Sequence, residues 1–176
     1  MQRRSYVAIF IIVLLLISRN LIYITNWNLL LSALYWILPS EIGDELGITA
    51  VVYIQTWTFA LGITVITATD PELMDIACND IGCPAAWIMN VLIHYFPPIL
   101  VTHYIHSTNH PLLRNPSRLF AAWICTVTIF VIYSVYMDPQ SIYNIPVSQR
   151  TFVSWMLTSA AMFLLLLRRV VENSVM

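Results

Sequence analysis

Six long apolar runs, separated by short polar stretches, make up most of this 176-residue chain. Most have the roughly 17 to 20 residues that a helix needs to cross a hydrocarbon core about 30 Å thick. The connecting stretches are too short to form a second domain. We therefore predict an all-α membrane protein, a single domain over residues 1–176, with six transmembrane helices at about 5–18, 20–38, 48–68, 85–105, 119–137 and 151–167.

The composition supports this prediction. Hydrophobic residues make up 59% of the chain and charged residues only 10%, lysine is absent, and the mean hydropathy is +0.76. These values lie far from those of a soluble domain. No repeat, nucleotide-binding loop or coiled-coil pattern is present, so we expect membrane lipids as partners and no nucleic acid.

The first two runs form one apolar stretch over 5–40. A single helix of that length would be roughly 54 Å long, which exceeds the thickness of the bilayer. A turn at Arg19-Asn20 divides the stretch more evenly than one at 25–28 and leaves Arg19 at an interface, so we place it near 19–20. The small residues of a signal-peptide cleavage site are missing, and we expect the first helix to be retained.

Arginines indicate the orientation of the helices. In the six-helix layout, two arginines fall on one side, and six fall on the other: Arg3, Arg4, Arg114, Arg118, Arg168 and Arg169. The positive-inside rule then predicts that both termini are cytoplasmic and that the loop 69–83 faces outward or into a lumen. In that loop a disulfide between Cys78 and Cys83 and a weakly indicated zinc site both remain open. We expect Cys125 to be a packing residue of the fifth helix.

His94 is the first candidate functional residue, because ionisable side chains inside a membrane are costly and usually functional. Asn90 precedes it by four residues and shares its helix face. Pro97 and Pro98 lack amide hydrogens and should kink the helix here, which is tolerated when the kink lines a cavity or is buried in protein. In the alternative interpretation, His94 only hydrogen-bonds a neighbouring helix and the prolines shape packing.

A second group, His103, His106 and His110, has a one-face spacing that could bind a metal. Pro111 follows it directly, and no Asp, Glu or Cys stands nearby in the sequence to complete a site. Interfacial histidines at a helix end are the interpretation we favour, so we expect no metal and no cofactor.

Two motifs resemble a known family. The segment from Tyr23 to Trp36 is similar to the second helix of the androgen-induced-gene family of integral-membrane threonine hydrolases, which includes the androgen-dependent TFPI-regulating protein and to which the Rolling stone group is related. The segment from Asn90 to His94 resembles the Asn-x-x-x-His of that family. Weaker similarities follow at Pro116-Ser117-Arg118, at Asp70-Pro71-Glu72 and in the stretch Tyr143-Asn144-Ile145-Pro146.

The resemblance implies that Thr25 is the nucleophile and His94 the catalytic base of a lipid-ester hydrolase. It also implies fatty acid esters of hydroxy fatty acids as substrates, in the endoplasmic reticulum or the plasma membrane. Known members have longer first outer loops and a longer connection where this chain has 39–47, and some have two histidines where this chain has Asn109-His110.

The chemistry requires a base beside the threonine and donors for the developing oxyanion. A neutral imidazole can take the proton of a hydroxyl and return it to the leaving alcohol. Asn90 and Asn28 are candidate oxyanion donors, because amides donate without carrying a charge. Two other classes remain open: a transporter or channel that uses His94 and the Pro97-Pro98 break, and a non-catalytic structural subunit of a membrane complex.

Overall fold

The computed structural model describes residues 2–18, 24–69, 75, 78–79, 81–108, 110–136 and scattered positions between 154 and 168. All regular elements in this part of the chain are helical, so the predicted all-α class is confirmed there. The elements are α1 (Gln2–Ser18), α2 (Ile24–Ile37), α3 (Ser40–Glu45), α4 (Ile48–Thr69), α5 (Cys83–Asn90), a π-helical turn (Val91–Tyr95), α6 (Phe96–Ser107), a 3-10 turn (Pro111–Arg114) and α7 (Pro116–Tyr136).

Two helices of the described part are long and apolar enough to cross a membrane. They comprise Ile48–Ala68, with 21 residues, and Cys83–Ser107, with 25 residues. Two shorter apolar helices cover Arg4–Ile17 and Ser117–Tyr133. The turn predicted at 19–20 and most of the sixth predicted helix, 151–167, lie outside the described residues.

The helices run between two ends of the molecule. At one, called here the Asp44 end, Arg118 Nη1 donates to the carbonyl of Asp44 at 3.3 Å, and Arg4 Nη2 donates to the carbonyl of Tyr35 at 3.1 Å. The other is called the disulfide end, because Cys78 and Cys83 are bonded there. Helices α1, α4 and α7 therefore begin at the Asp44 end, and α2 and α6 end there.

Helix α4 is the central element. It packs against α2, α6, α7 and the π-helical turn, whereas α1 packs mainly on α2. Its side chains are buried along most of its length, and the core around it is aliphatic and aromatic. The fully buried side chains include Ile11, Leu29, Val52, Ile54, Val101, Ile105 and Phe130.

The connection predicted at 39–47 contains the short helix α3 and a glycine turn. Gly47 has φ 70°, a left-handed conformation that glycine adopts without steric cost, and its N–H donates to the carbonyl of Asp44 at 3.2 Å. This turn directs the chain back into α4. Asp44 therefore stands at the junction of α3 and α4, close to α7.

The cysteines differ in part from expectation. Cys78 and Cys83 form a disulfide, which was one of the two open interpretations. Cys125 is exposed, so the prediction that it is a packing residue was wrong. Helix α7 has large apolar side chains on its buried and on its exposed side, such as Phe130 and Ile132, and its sequence therefore does not show which face is buried.

Candidate functional site

Helix α2 carries a polar stripe along its inner side, formed by Thr25, Asn28 and Ser32. Their spacing of three and four residues places them on one face. Thr25 is half-buried, whereas Asn28 and Ser32 are each 0% exposed. Among the described residues, neither the Asn28 amide nor the Ser32 hydroxyl has a hydrogen-bond partner. Such groups cost about 1–3 kcal/mol each when they are buried unpaired, so the stripe is destabilising where it stands.

The helix predicted to kink at Pro97-Pro98 contains a π-helical turn, Val91–Tyr95, just before the two prolines. The Phe96 N–H donates to the carbonyl of Val91, five residues earlier. Since neither proline carries an amide hydrogen, the chain cannot continue regular α-helical hydrogen bonding through this point. The wider turn keeps Cys83–Ser107 one continuous helix. Turns of this kind occur frequently at functional sites.

His94 lies inside the π-helical turn. Its side chain is partly buried, and its Nδ1 atom is enclosed and without a hydrogen-bond partner in the described part of the chain. Asn90, in the last turn of α5, is half-buried as well. The alternative interpretation requires a hydrogen bond from His94 to a neighbouring helix. The described contacts contain no such bond to Nδ1.

Contacts to α4 and α1 hold the π-helical turn in place. The Tyr95 and Thr64 hydroxyls are 2.6 Å apart, and the Phe96 ring lies edge-on to Phe10 with centroids 5.0 Å apart. About two turns later, Trp57 Nε1 donates to Thr102 Oγ1 at 2.9 Å. The residues of this helix that make these contacts all follow His94, and they limit the positions that its backbone can take.

The elements that carry the two predicted catalytic residues are neighbours. Helix α2 contacts the π-helical turn, and α4 contacts both. No hydrogen bond joins Thr25 to His94 among the described residues. Their roles, and those of Asn28 and Asn90 as oxyanion donors, stay predictions.

Two of the buried polar groups that were not predicted from the sequence lie on α2 and α4. Ser32 is one, and its position four residues after Asn28 could have revealed it. Gln55 on α4 is the other: it is 2% exposed, and its Oε1 has no partner among the described residues. It is the only amide side chain in the run 48–68, so the sequence could have indicated it as a candidate.

The three histidines differ in their surroundings. His103 and His106 are exposed, and no cluster of three metal-binding side chains occurs in the described part of the chain. His110 Nε2 lies 2.9 Å from Asp44 Oδ1, although the ring N–H is not aligned for a hydrogen bond. No acidic residue stands near this group in the sequence, and Asp44 reaches His110 only through the fold.

No family model, curated protein or solved structure matches the chain.

Proposed function

We propose that the chain is an integral-membrane lipid-ester hydrolase with Thr25 as nucleophile and His94 as base. The observation that carries the proposal is the contact between α2 and the π-helical turn, each of which buries polar atoms that have no partner among the described residues. If these groups had only a structural role, burying them with hydrogen-bond partners would cost less free energy than burying them without. A bound ester offers the acceptors and donors that these groups lack.

The reaction has two steps. Thr25 Oγ1 attacks the ester carbonyl carbon while His94 accepts the hydroxyl proton, and the C–O bond to the alcohol breaks as His94 returns that proton to the leaving oxygen. Water then hydrolyses the acyl-threonine, again with His94 as base, and releases the acid. Asn28, and Asn90 beside His94, are the proposed donors to the tetrahedral oxyanion.

The proposal includes a substrate class and a topology. Fatty acid esters of hydroxy fatty acids follow from the resemblance of the α2 and Asn90–His94 motifs to the androgen-induced-gene family, to which we propose that the chain belongs. A substrate of this kind would enter laterally from the bilayer. The topology has six transmembrane helices, with both termini cytoplasmic, in the endoplasmic reticulum or the plasma membrane. No cofactor takes part.

The experiment is hydrolysis by the purified full-length chain in detergent, with a palmitoyl ester of a hydroxystearic acid as substrate. We expect Thr25→Ala to abolish turnover and covalent labelling by a fluorophosphonate, and His94→Ala to lower turnover by at least about 100-fold. Thr25→Ser keeps the hydroxyl and should retain activity. Turnover retained in Thr25→Ala would refute the assignment.

A matched control is Thr128→Ala. Thr128 is an exposed threonine on α7 whose hydroxyl donates to its own helix at Ile124 O, 2.8 Å away. Its replacement should leave turnover and labelling unchanged. A transporter or a structural subunit predicts neither ester turnover nor a covalent adduct at Thr25, so the same assay separates the three classes.

A further inference from the structure

A cavity of about 360 Å³ lies between α4 and α7 at the Asp44 end. Its volume falls within the range of sites that hold small molecules, roughly 300–1,000 Å³. From Arg118 to Cys125 it follows seven residues of α7, roughly 10 Å of helix. The residues that line it are Glu45, Leu46, Gly47, Ala50, Val51, Arg118, Ala121, Ala122 and Cys125.

The mouth of the cavity carries one charge of each sign. Glu45 stands at the end of α3 and Arg118 in the first turn of α7, and both are exposed. Within the described part of the chain, the two do not form an ion pair with each other or with any other side chain. Arg118 Nη1 donates to the carbonyl of Asp44 at 3.3 Å. A ligand that fits this mouth has an anionic and a cationic group.

The interior of the cavity is apolar. Beyond the mouth the walls consist of small or aliphatic side chains, among them Ala50, Val51 and Ala121. They present no partner for a polar ligand, whereas hydrocarbon fills such a surface favourably. The cavity is therefore an open groove that combines one charge of each sign with an apolar wall.

We propose that this cavity binds a phospholipid of the phosphatidylethanolamine type. Its phosphate contacts the Arg118 guanidinium, which suits phosphate geometry, and its primary ammonium contacts the Glu45 carboxylate. The glycerol and the first part of one acyl chain lie against Ala121 and Cys125. Free phosphate would leave the apolar wall and Glu45 unused, and an apolar helix from a second protein would cover both charges without a counter-charge.

This site is distinct from the candidate catalytic groups. Its wall is formed by α4 and α7, whereas Thr25 lies on α2 and His94 in the π-helical turn. Lipid binding here does not require that the chain hydrolyse esters, and the two proposals are tested by different measurements.

Cys125 supplies the reporter for the test. The chain has three cysteines, two of which form the disulfide, so Cys125 is the single free thiol and lies in the cavity wall. The full chain in detergent would be titrated with phosphatidylethanolamine, phosphatidylcholine or phosphatidylglycerol. The rate of maleimide labelling at Cys125 and the bound lipid seen by native mass spectrometry would be recorded for each.

We expect one bound phosphatidylethanolamine and labelling slowed by at least about tenfold at saturation, with weaker protection by the other two lipids. Arg118→Gln should weaken binding of all three lipids by about tenfold, as loss of one charge contact implies. Glu45→Gln should weaken binding of phosphatidylethanolamine most, that of phosphatidylcholine less, because its ammonium has no N–H donor, and that of phosphatidylglycerol not at all. Asp75→Asn, an exposed carboxylate in the 69–83 connection, is the control and should change nothing.

A cavity-filling variant keeps the test independent of the charges. Ala121→Leu should slow labelling of Cys125 without any lipid and abolish bound phosphatidylethanolamine, while the melting temperature shows that the chain is folded. Equal protection by all three lipids, or no effect of Glu45→Gln, would overturn the proposal. Protection that depends on protein concentration rather than lipid would also overturn it, by indicating a second copy of the chain as the occupant.

Discussion

The hydroxyls of Tyr95 and Thr64 lie 2.6 Å apart, and this hydrogen bond joins the π-helical turn to α4. Tyr95 is the residue after His94, so the bond acts directly on the backbone that positions the imidazole. The Tyr95 ring itself is only partly buried. The hydroxyl contact therefore matters more for the position of the turn than for the free energy of folding.

The Tyr95→Phe variant keeps the ring and removes the hydroxyl. We expect a loss of about 1 kcal/mol in the free energy of unfolding and a larger relative loss of ester hydrolysis, because His94 is less firmly placed. Thr64→Val should act alike, and the double variant should be little worse than either single one. Thr67→Val is the control, since the Thr67 hydroxyl bonds only its own helix. Additive effects of the two variants would contradict the coupling.

The Asn28→Leu variant separates stability from function. Since the Asn28 amide is buried without a partner among the described residues, we expect the variant to be more stable by about 1–2 kcal/mol. Ester hydrolysis should fall by about 100-fold or more if Asn28 donates to the oxyanion. Thermal unfolding and turnover would be measured on the same preparation.

Asn26→Leu is the matched control for that prediction. Asn26 is also buried on α2, at 2% exposure, but it does have a contact partner. Its replacement should destabilise the protein instead. If Asn28→Leu and Asn26→Leu destabilise equally, Asn28 has a structural partner and its proposed catalytic role loses its main support.

His110→Ala tests the junction between α3 and α7. His110 Nδ1 accepts a hydrogen bond from the Leu112 N–H at 3.1 Å, and Nε2 lies beside Asp44. We expect a destabilisation of about 1–2 kcal/mol, because the variant removes a helix cap and the contact to Asp44. His106→Ala, at an exposed position, should change the free energy of unfolding by less than about 0.5 kcal/mol. Equal effects of the two variants would contradict the assigned contacts.

Arg4 anchors α1 through aromatic contacts. Its guanidinium carbon lies 5.1 Å, 5.5 Å and 5.3 Å from the ring centroids of Tyr35, Trp36 and Tyr104. We expect Arg4→Leu to destabilise the protein by about 1–2 kcal/mol and to change the fluorescence of Trp36, and Arg4→Lys to have a smaller effect. An unchanged melting temperature in Arg4→Leu would show that the aromatic contacts contribute nothing to stability.

Much of the helical architecture was predictable, because long apolar runs can satisfy their backbone groups only as helices in an apolar environment. The bounds predicted for the third and fifth helices, 48–68 and 119–137, lie close to those of α4 and α7. The histidine in the fourth helix and the prolines that follow it were also visible. The π-helical turn before these prolines was not visible in the sequence. Prolines remove hydrogen-bond donors without specifying how the preceding turn widens.

The contacts between distant residues were beyond sequence reasoning. Asp44 approaches His110 and Arg118, and Glu45 shares a cavity with Arg118, only because α4 and α7 pack side by side. The prediction that Cys125 is a packing residue was wrong for the same reason. A helix that is apolar on every side has no periodic pattern to indicate its buried face.

The amino-acid sequence by itself determined that this chain forms apolar helices, and it indicated Thr25, His94 and Asn28 as polar groups within them. Hydrophobic run length and proline chemistry act locally, so they can be read directly from the order of residues. Only the tertiary structure decided which polar atoms are enclosed without partners and which charges share a cavity. Those properties depend on the relative rotation of neighbouring helices, which side-chain packing across their interfaces determines.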